Sequence, residues 1–170
     1  HNTETLHAEM PLNFGKSKTK TDTIHSLKAA LFGRKISYPF SNNIKNRRGS
    51  ATGRLCGGNL SMLYSLNGSP SDIDTTGKIL FMEDLDEYLY HIDRMMMNLK
   101  RSGKFDKPAG VVIGGMSAMN DNAVSFGKNA EEIIVDILGD TTYPVCYGFP
   151  AGHIPDNRAL IMGREAYLEV

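Results

Sequence analysis

The stretch KILFMEDLDEYLYHIDRMMMNLK, residues 78–100, decides the fold. It opens with a short apolar run, 78–82, that stops abruptly at an acidic cluster, which is typical of a buried strand. Apolar residues then recur at helical spacing until Gly103, namely Leu85, Leu89, Ile92, Met95, Met96 and Leu99. We therefore predict a strand that passes directly into a helix.

The same alternation repeats downstream. A predicted strand over 110–113 is followed by a long connection, an apolar helix closed by Gly139, and a strand over 144–147. Two strand-helix-strand crossovers imply a parallel sheet. The alternating stretches 160–162 and 166–170 predict hairpin-like strands at an edge. The expected fold class is α/β, with a mostly parallel central sheet and additional edge strands.

Upstream of this repeat the pattern is less regular. A helix is predicted over 21–32, capped by Thr21 or Asp22 and closed by Gly33. The polar segment 41–53 is predicted to be a loop that leads into a strand near Arg54 and Leu55. A turn at Gly57, Gly58 and Asn59 should follow, with Asn59 capping a short helix that Gly68 stops.

Composition excludes several functional classes. The 170 residues fit one domain, and the 19 Lys and Arg residues balance 19 Asp and Glu residues without a basic stripe, so nucleic acid is not an expected partner. No apolar run is long enough to span a bilayer. Cys56 and Cys146 lie far apart, as two buried thiols in a reducing compartment would. These features predict a soluble, cytoplasmic protein. Because the chain begins without methionine, we expect further residues upstream.

Glu83 and His153 form the candidate site. Glu83 directly follows one predicted strand, and His153 lies in a glycine- and proline-bearing loop, six residues after Tyr147 at the end of another. Crevices form beyond the carboxyl ends of parallel strands, so both side chains should reach the same rim of the sheet. A glutamate that accepts the Nδ1 proton of histidine would leave Nε2 free as a base.

Each candidate also has a structural interpretation. Acidic residues gather at helix starts, and a lone loop histidine is more often structural than catalytic. Gly57, Gly58 and Asn59 are candidate substrate-binding residues through a backbone nest, although a tight turn explains the glycines almost as well. His7, His25 and His91 have no such support.

Two other patterns are dismissed. The stretch 115–118, with Ser117 as its third residue, begins like a nucleophile elbow, but Met119 replaces the final glycine and a polar stretch follows where a helix should start, so Ser117 is not expected to be a nucleophile. A metal site made of His153, Asp156 and Cys146 would lack any recognised ligand spacing. The residues therefore give no metal signature.

Four segments, in order and spacing, resemble the carboxyl-terminal part of the LD-carboxypeptidases of peptidase family S66: GRLCGGNLSML (53–63), GKILFMEDLDEYLYHIDRMMMNLKRSG (77–103), AGVVIGGMS (109–117) and FPAGHIPDNRALIMG (149–163). The resemblance implies a swivelling β/β/α-type domain over 34–170. Residues 1–33 resemble the end of the family's amino-terminal domain and the crossing segment.

The resemblance also implies a function. It suggests a Ser-Glu-His triad in which Glu83 and His153 are catalytic and the serine comes from a missing amino-terminal domain, so this chain alone should be inactive. The implied enzyme is a homodimer that needs neither a metal nor an organic cofactor and removes terminal D-alanine from muropeptide tetrapeptides in cell-wall recycling. Two alternatives stay open: a peptidase of the same fold that gives immunity to a peptide-nucleotide antibiotic, and a non-catalytic binding or dimerisation module.

Overall fold

A computed structural model describes residues 3–16 and 19–170. Residues 1, 2, 17 and 18, which belong to the predicted first segment, lie outside this part. Within it the elements are, in chain order, β1 (Thr5–His7), α1 (Thr21–Leu31), β2 (Ser50–Asn59), α2 (Leu60–Leu66), β3 (Ile79–Leu85), α3 (Leu89–Arg101), β4 (Gly110–Ser117), α4 (Ala130–Leu138), β5 (Val145–Cys146), β6 (Leu160–Met162) and β7 (Glu165–Glu169). None of the helices in these described residues is long and apolar enough to cross a membrane.

The central sheet has five strands in the order β5-β4-β3-β2-β7. β2 to β5 run parallel, and β7 joins β2 in the antiparallel direction at the edge. The predicted α/β class with a mostly parallel sheet is confirmed, and so is an edge strand near the carboxyl end. The prediction is wrong for 160–162, because β6 pairs with β1 in a separate two-stranded sheet.

β3 lies in the middle of the sheet and contributes to both sides of the core. Leu80 and Met82 pack in the cluster that contains α2, α3 and α4. Ile79 and Phe81 pack in the cluster on the opposite face, with Leu160 of β6. Because successive strand residues point to opposite faces, the residues at the end of β3 also divide between two environments.

Several boundaries differ from the sequence predictions. β3 extends to Leu85, so Glu83 lies inside the strand rather than just after it, in register with Asn59 of β2. The proposed turn at Gly57, Gly58 and Asn59 is wrong as well, since these residues finish β2. Pairing with β3 keeps β2 extended past its apolar residues. This is a tertiary effect, so local periodicity does not show it.

The helix α1 holds the segment that carries His153. Its amino terminus has no side-chain cap, so the predicted cap at Thr21 or Asp22 is wrong, whereas Gly33 has the expected left-handed backbone, with φ of +67°. Two buried hydroxyls of α1 accept hydrogen bonds from the loop that follows His153. Thr23 Oγ1 accepts from the amide of Asn157, and Ser26 Oγ accepts from the amide of Ala159, each at 3.0 Å.

Candidate active site

Glu83 is a carboxylate buried in the sheet. Its side chain is 0% exposed, and it shares the face of β3 that holds Phe81, beneath β1 and β6. The next residue, Asp84, points to the other face, where it accepts hydrogen bonds from Asn59 and Ser61. A charge removed from water needs close partners, so the contacts of Glu83 determine what it can do.

His153 is the first of these partners. Its Nδ1 lies 2.7 Å from Glu83 Oε2, and its backbone amide donates to the same oxygen at 3.1 Å. Nε2 has no hydrogen-bond partner among the described residues, and the side chain is 47% exposed. The sequence prediction that Glu83 and His153 meet at one rim of the sheet is therefore confirmed in position. The ring is held at Nδ1 and open at Nε2.

The backbone around His153 is built for this contact. Gly152 has φ of +108°, and a Cβ there would lie 2.7 Å from Glu83 Oε2. The amide of Gly152 donates to Asn157 Oδ1 at 2.9 Å. Glycine is thus required both by its conformation and by the close approach of the carboxylate.

Ser117 supports the same loop from β4. Its Oγ donates to the carbonyl oxygen of His153 at 2.7 Å, so its observed contact is with the backbone of His153. Gly115, two residues earlier, leaves room for Ile154, since a Cβ would lie 2.5 Å from Ile154 Cγ2. The GMSAM stretch that resembles a nucleophile elbow therefore positions the histidine loop.

The second partner of Glu83 is His7, which sequence reasoning set aside. His7 Nε2 lies 3.6 Å from Glu83 Oε1, and the His7 ring packs edge-on against Phe81 with a centroid separation of 4.9 Å. Its position depends on the pairing of β1 with β6, where His7 is opposite Leu160. The segment ETLHAEMP belongs to the part that resembles the family's amino-terminal domain, but nothing in it predicts that His7 contacts Glu83, because this contact depends on pairing between distant segments.

The two imidazoles set the protonation of the carboxylate. Burial raises the pKa of Glu83, but the side-chain contacts of His7 and His153 outweigh burial and hold the pKa below its ordinary value. Glu83 is therefore an anion at neutral pH. It can hold the Nδ1–H tautomer of His153 and stabilise the ring when Nε2 takes up a proton.

A groove of about 740 Å³ opens beside His153. One wall comes from the amino-terminal segment and the other from the histidine loop. The lining residues are His7, Ala8, Glu9, Met10, Asn13, Lys16, Thr19, Leu85, Gly152, His153, Ile154, Pro155 and Asn157. A peptide-sized ligand would fit a volume of this order.

Gly57, Gly58 and Asn59 have structural contacts. A Cβ at Gly57 would lie 2.0 Å from the carbonyl oxygen of Phe81, so this glycine permits close packing of two strands. Asn59 accepts a hydrogen bond from the amide of Met62, which confirms that it caps α2. Its side-chain amide donates to Asp84 at 2.8 Å. None of the three is among the described residues that line the groove. Substrate binding by them stays a prediction.

The fold and the site together define an α/β domain in which a buried carboxylate near the end of a central strand is hydrogen-bonded to a histidine that lines an open groove. The family model for the LD-carboxypeptidase C-terminal domain matches residues 52–168. The chain therefore belongs to the LD-carboxypeptidase C-terminal domain family, which agrees with the resemblance drawn from its motifs.

The chain is similar both to proteins named as carboxypeptidases and to a protein named for self-immunity. It is 38% identical over 118 residues to a probable murein peptide carboxypeptidase of Bacillus subtilis, covering 69% of this chain and 37% of that protein. It is 29% identical over 118 residues to the microcin C7 self-immunity protein MccF of Escherichia coli, covering 68% and 33%. The crystal structure of muramoyltetrapeptide carboxypeptidase from Oxalobacter formigenes aligns with a TM-score of 0.88 and 27% identity, covering 99% of this chain and 58% of that one. The chain thus spans well under two thirds of each relative's length.

Proposed function

We propose that the chain is the carboxyl-terminal part of a serine-type LD-carboxypeptidase and supplies Glu83 and His153 of a Ser-Glu-His triad. The observation that carries the proposal is the hydrogen bond of 2.7 Å between His153 Nδ1 and Glu83 Oε2, made by a histidine that lines an open groove. Among the described residues, no serine hydroxyl is hydrogen-bonded to the ring of His153. We infer that the serine lies on an upstream domain that packs against this groove.

The proposed reaction is acyl transfer. The serine hydroxyl attacks the peptide carbonyl that links an L-centre to the terminal D-alanine, and His153 Nε2 accepts its proton. The tetrahedral intermediate collapses, and His153 returns the proton to the departing amine of D-alanine. Water, activated by the same nitrogen, then hydrolyses the acyl-enzyme ester. Glu83 stays ionised and stabilises the imidazolium throughout.

An assay of D-alanine release tests the proposal. Full-length protein incubated with a muropeptide tetrapeptide should release D-alanine, whereas the 170-residue chain should release none because it lacks the nucleophile. Release by the 170-residue chain would contradict an upstream serine. Absence of release by the full-length protein would favour a non-catalytic module. The homodimer implied by the resemblance and the cytoplasmic location predicted from the composition are also proposals, which light scattering and cell fractionation would check.

The immunity function is a second candidate, because the microcin C7 self-immunity protein is 29% identical to this chain over 118 residues. The same Glu83 and His153 chemistry would serve a peptide-nucleotide substrate. Competition between a muropeptide tetrapeptide and an aminoacyl sulfamoyl nucleoside, with turnover compared at equal concentrations, separates the two. Faster turnover of the nucleoside conjugate would assign the chain to the immunity function.

A further inference from the structure

The two oxygens of Glu83 are in very different states. Oε2 accepts two hydrogen bonds, both from His153. Oε1 is buried and has no hydrogen-bond partner among the described residues. The proposed catalytic role of Glu83 accounts for Oε2 alone, and a buried carboxylate oxygen requires a donor.

The polar atom opposite Oε1 is Nε2 of His7, at 3.6 Å. An approach of about 0.5 Å would bring the pair to the usual N–H···O separation. The ring of His7 is restrained on two sides, by the pairing of β1 with β6 and by the edge-on contact with Phe81. Its side chain is 22% exposed, so the ring is largely shielded from water.

The tautomer of His7 follows from its second nitrogen. Nδ1 of His7 is buried and also lacks a hydrogen-bond partner among the described residues. A neutral ring protonated at Nε2 suits both atoms, because its one proton points at Glu83 Oε1 and the unprotonated Nδ1 needs no acceptor. A doubly protonated ring would bury an N–H without a partner.

We propose that His7 is a positioning residue, whose Nε2–H binds Glu83 Oε1 and fixes the carboxylate so that Oε2 stays aligned with His153 Nδ1. This inference rests on the proposed triad chemistry. Glu83 then lies between two imidazoles: the ring of His7 orients Glu83, and Glu83 in turn orients the ring of His153. His7 acts through Glu83 and is distinct from the residues that exchange protons with substrate.

The surroundings of Glu83 leave this task to His7. In the described part of the chain, the titratable groups that face the carboxylate are His7 from β1 and His153 from the loop after β5. Its neighbour in register on β2 is the neutral Asn59, whose side chain is engaged by Asp84. On β4, the residues paired with Met82 and Asp84 are Ile113 and Met116, which are apolar.

Substitution of His7 in the full-length protein tests the proposal. His7→Phe keeps the packing against Phe81 and removes the donor, and should lower kcat for D-alanine release by about 10- to 100-fold with little change in KM. The acidic limb of the pH–rate profile should move to higher pH, because Glu83 is easier to protonate without the contact from His7. His7→Gln, whose amide places a donor near the position of Nε2, should restore most of the rate and the limb.

A readout independent of turnover is the proton on His153 Nδ1, whose downfield NMR resonance reports its hydrogen bond to Glu83. This resonance should shift in His7→Phe and return in His7→Gln. His25→Phe, a matched change at an exposed histidine of α1, should leave both rate and resonance unchanged. Circular dichroism confirms that each variant is folded.

The outcomes separate the two proposals. A folded His7→Phe variant with wild-type kcat, pH profile and resonance overturns the positioning role, provided that Glu83→Gln and His153→Ala lose activity. A change in KM shared equally by His7→Phe and His7→Gln also overturns it, since this would indicate substrate contact. If Glu83→Gln and His153→Ala retain activity, the triad is wrong and the role of His7 is wrong with it.

Discussion

Two carboxylate-histidine pairs lie at the same end of the sheet, and they resemble each other closely in distance. His153 Nδ1 is 2.7 Å from Glu83 Oε2, and His91 Nδ1 is 2.6 Å from Glu87 Oε2. Both carboxylates come from the stretch that forms β3 and its exit. Measured by this hydrogen bond alone, either pair could be the base half of a hydrolytic site.

The surroundings of the second pair are different. Glu87 and His91 are four residues apart at the start of α3, so their contact is a local one, and the His91 ring packs against Tyr64 with a centroid separation of 5.9 Å. Ser61 Oγ lies 2.9 Å from Glu87 Oε1 and 2.8 Å from Asp84 Oδ2. This serine therefore hydrogen-bonds to carboxylates. In a Ser-His-acid triad the serine hydroxyl would instead hydrogen-bond to the histidine ring.

The first pair is held at greater structural cost. Its members are 70 residues apart, Gly152 has a backbone conformation that favours glycine, and Glu83 is wholly buried while Glu87 is 24% exposed. Nε2 of His153 is the ring nitrogen that remains open. The comparison teaches that two carboxylate-histidine contacts of similar length can differ in how strongly the fold constrains them and in whether the histidine lines an open groove.

The largest expected difference is in catalysis by the full-length protein. Glu83→Gln and His153→Ala should each lower D-alanine release by about four orders of magnitude, because either change removes an oriented base. Glu87→Gln and His91→Ala, the matched changes in the second pair, should stay within about threefold of the wild-type rate. Steady-state kinetics on one muropeptide tetrapeptide measures all four variants. Equal losses of D-alanine release in both pairs would contradict the proposal that the first pair alone is catalytic.

An intermediate effect is expected from the backbone that holds the first pair. Gly152→Ala combines an unfavourable positive φ with a Cβ 2.7 Å from Glu83 Oε2, and should destabilise the protein by about 3 kcal/mol and lower turnover by about 100-fold. Gly127→Ala is the matched control, with φ of +80° and nothing within 4 Å of the added Cβ. It should cost about 1–2 kcal/mol and leave turnover unchanged. Urea unfolding and kinetics measure both, and equal losses would show that the clash with Glu83 is unimportant.

Local sequence signals predict the elements better than their limits. The apolar run at 78–82, the helical spacing after it, and the cap at Asn59 all correspond to observed structure. The end of β3 and the start of β2 were misplaced because pairing across the sheet, with Asn59 opposite Glu83 and Ser50 opposite Glu169, extends both strands beyond their apolar residues. A single strand's composition does not contain its partner's register.

The candidate site also contains residues that the sequence predicts and one that it does not. Glu83 and His153 could be placed together because the carboxyl ends of parallel strands share one edge, although their roles came from the family resemblance. His7 could not be found, since its position depends on β1 pairing with β6 and on Phe81 beneath its ring. The family resemblance of ETLHAEMP does not tell which residue His7 contacts, so this contact between distant residues is visible only in the structure.

The smallest expected effect concerns the stability that the second pair provides. In a double-mutant cycle of Glu87→Gln and His91→Ala, the coupling free energy should be about 0.3–0.5 kcal/mol, as for other partly exposed pairs spaced i,i+4. The cycle is measured by urea unfolding of the full-length protein at one pH. A coupling above about 2 kcal/mol would mean that Glu87 belongs to a rigid network with Ser61 and Asp84. The second pair would then be as constrained as the first, and the groove that His153 lines would be the remaining difference between them.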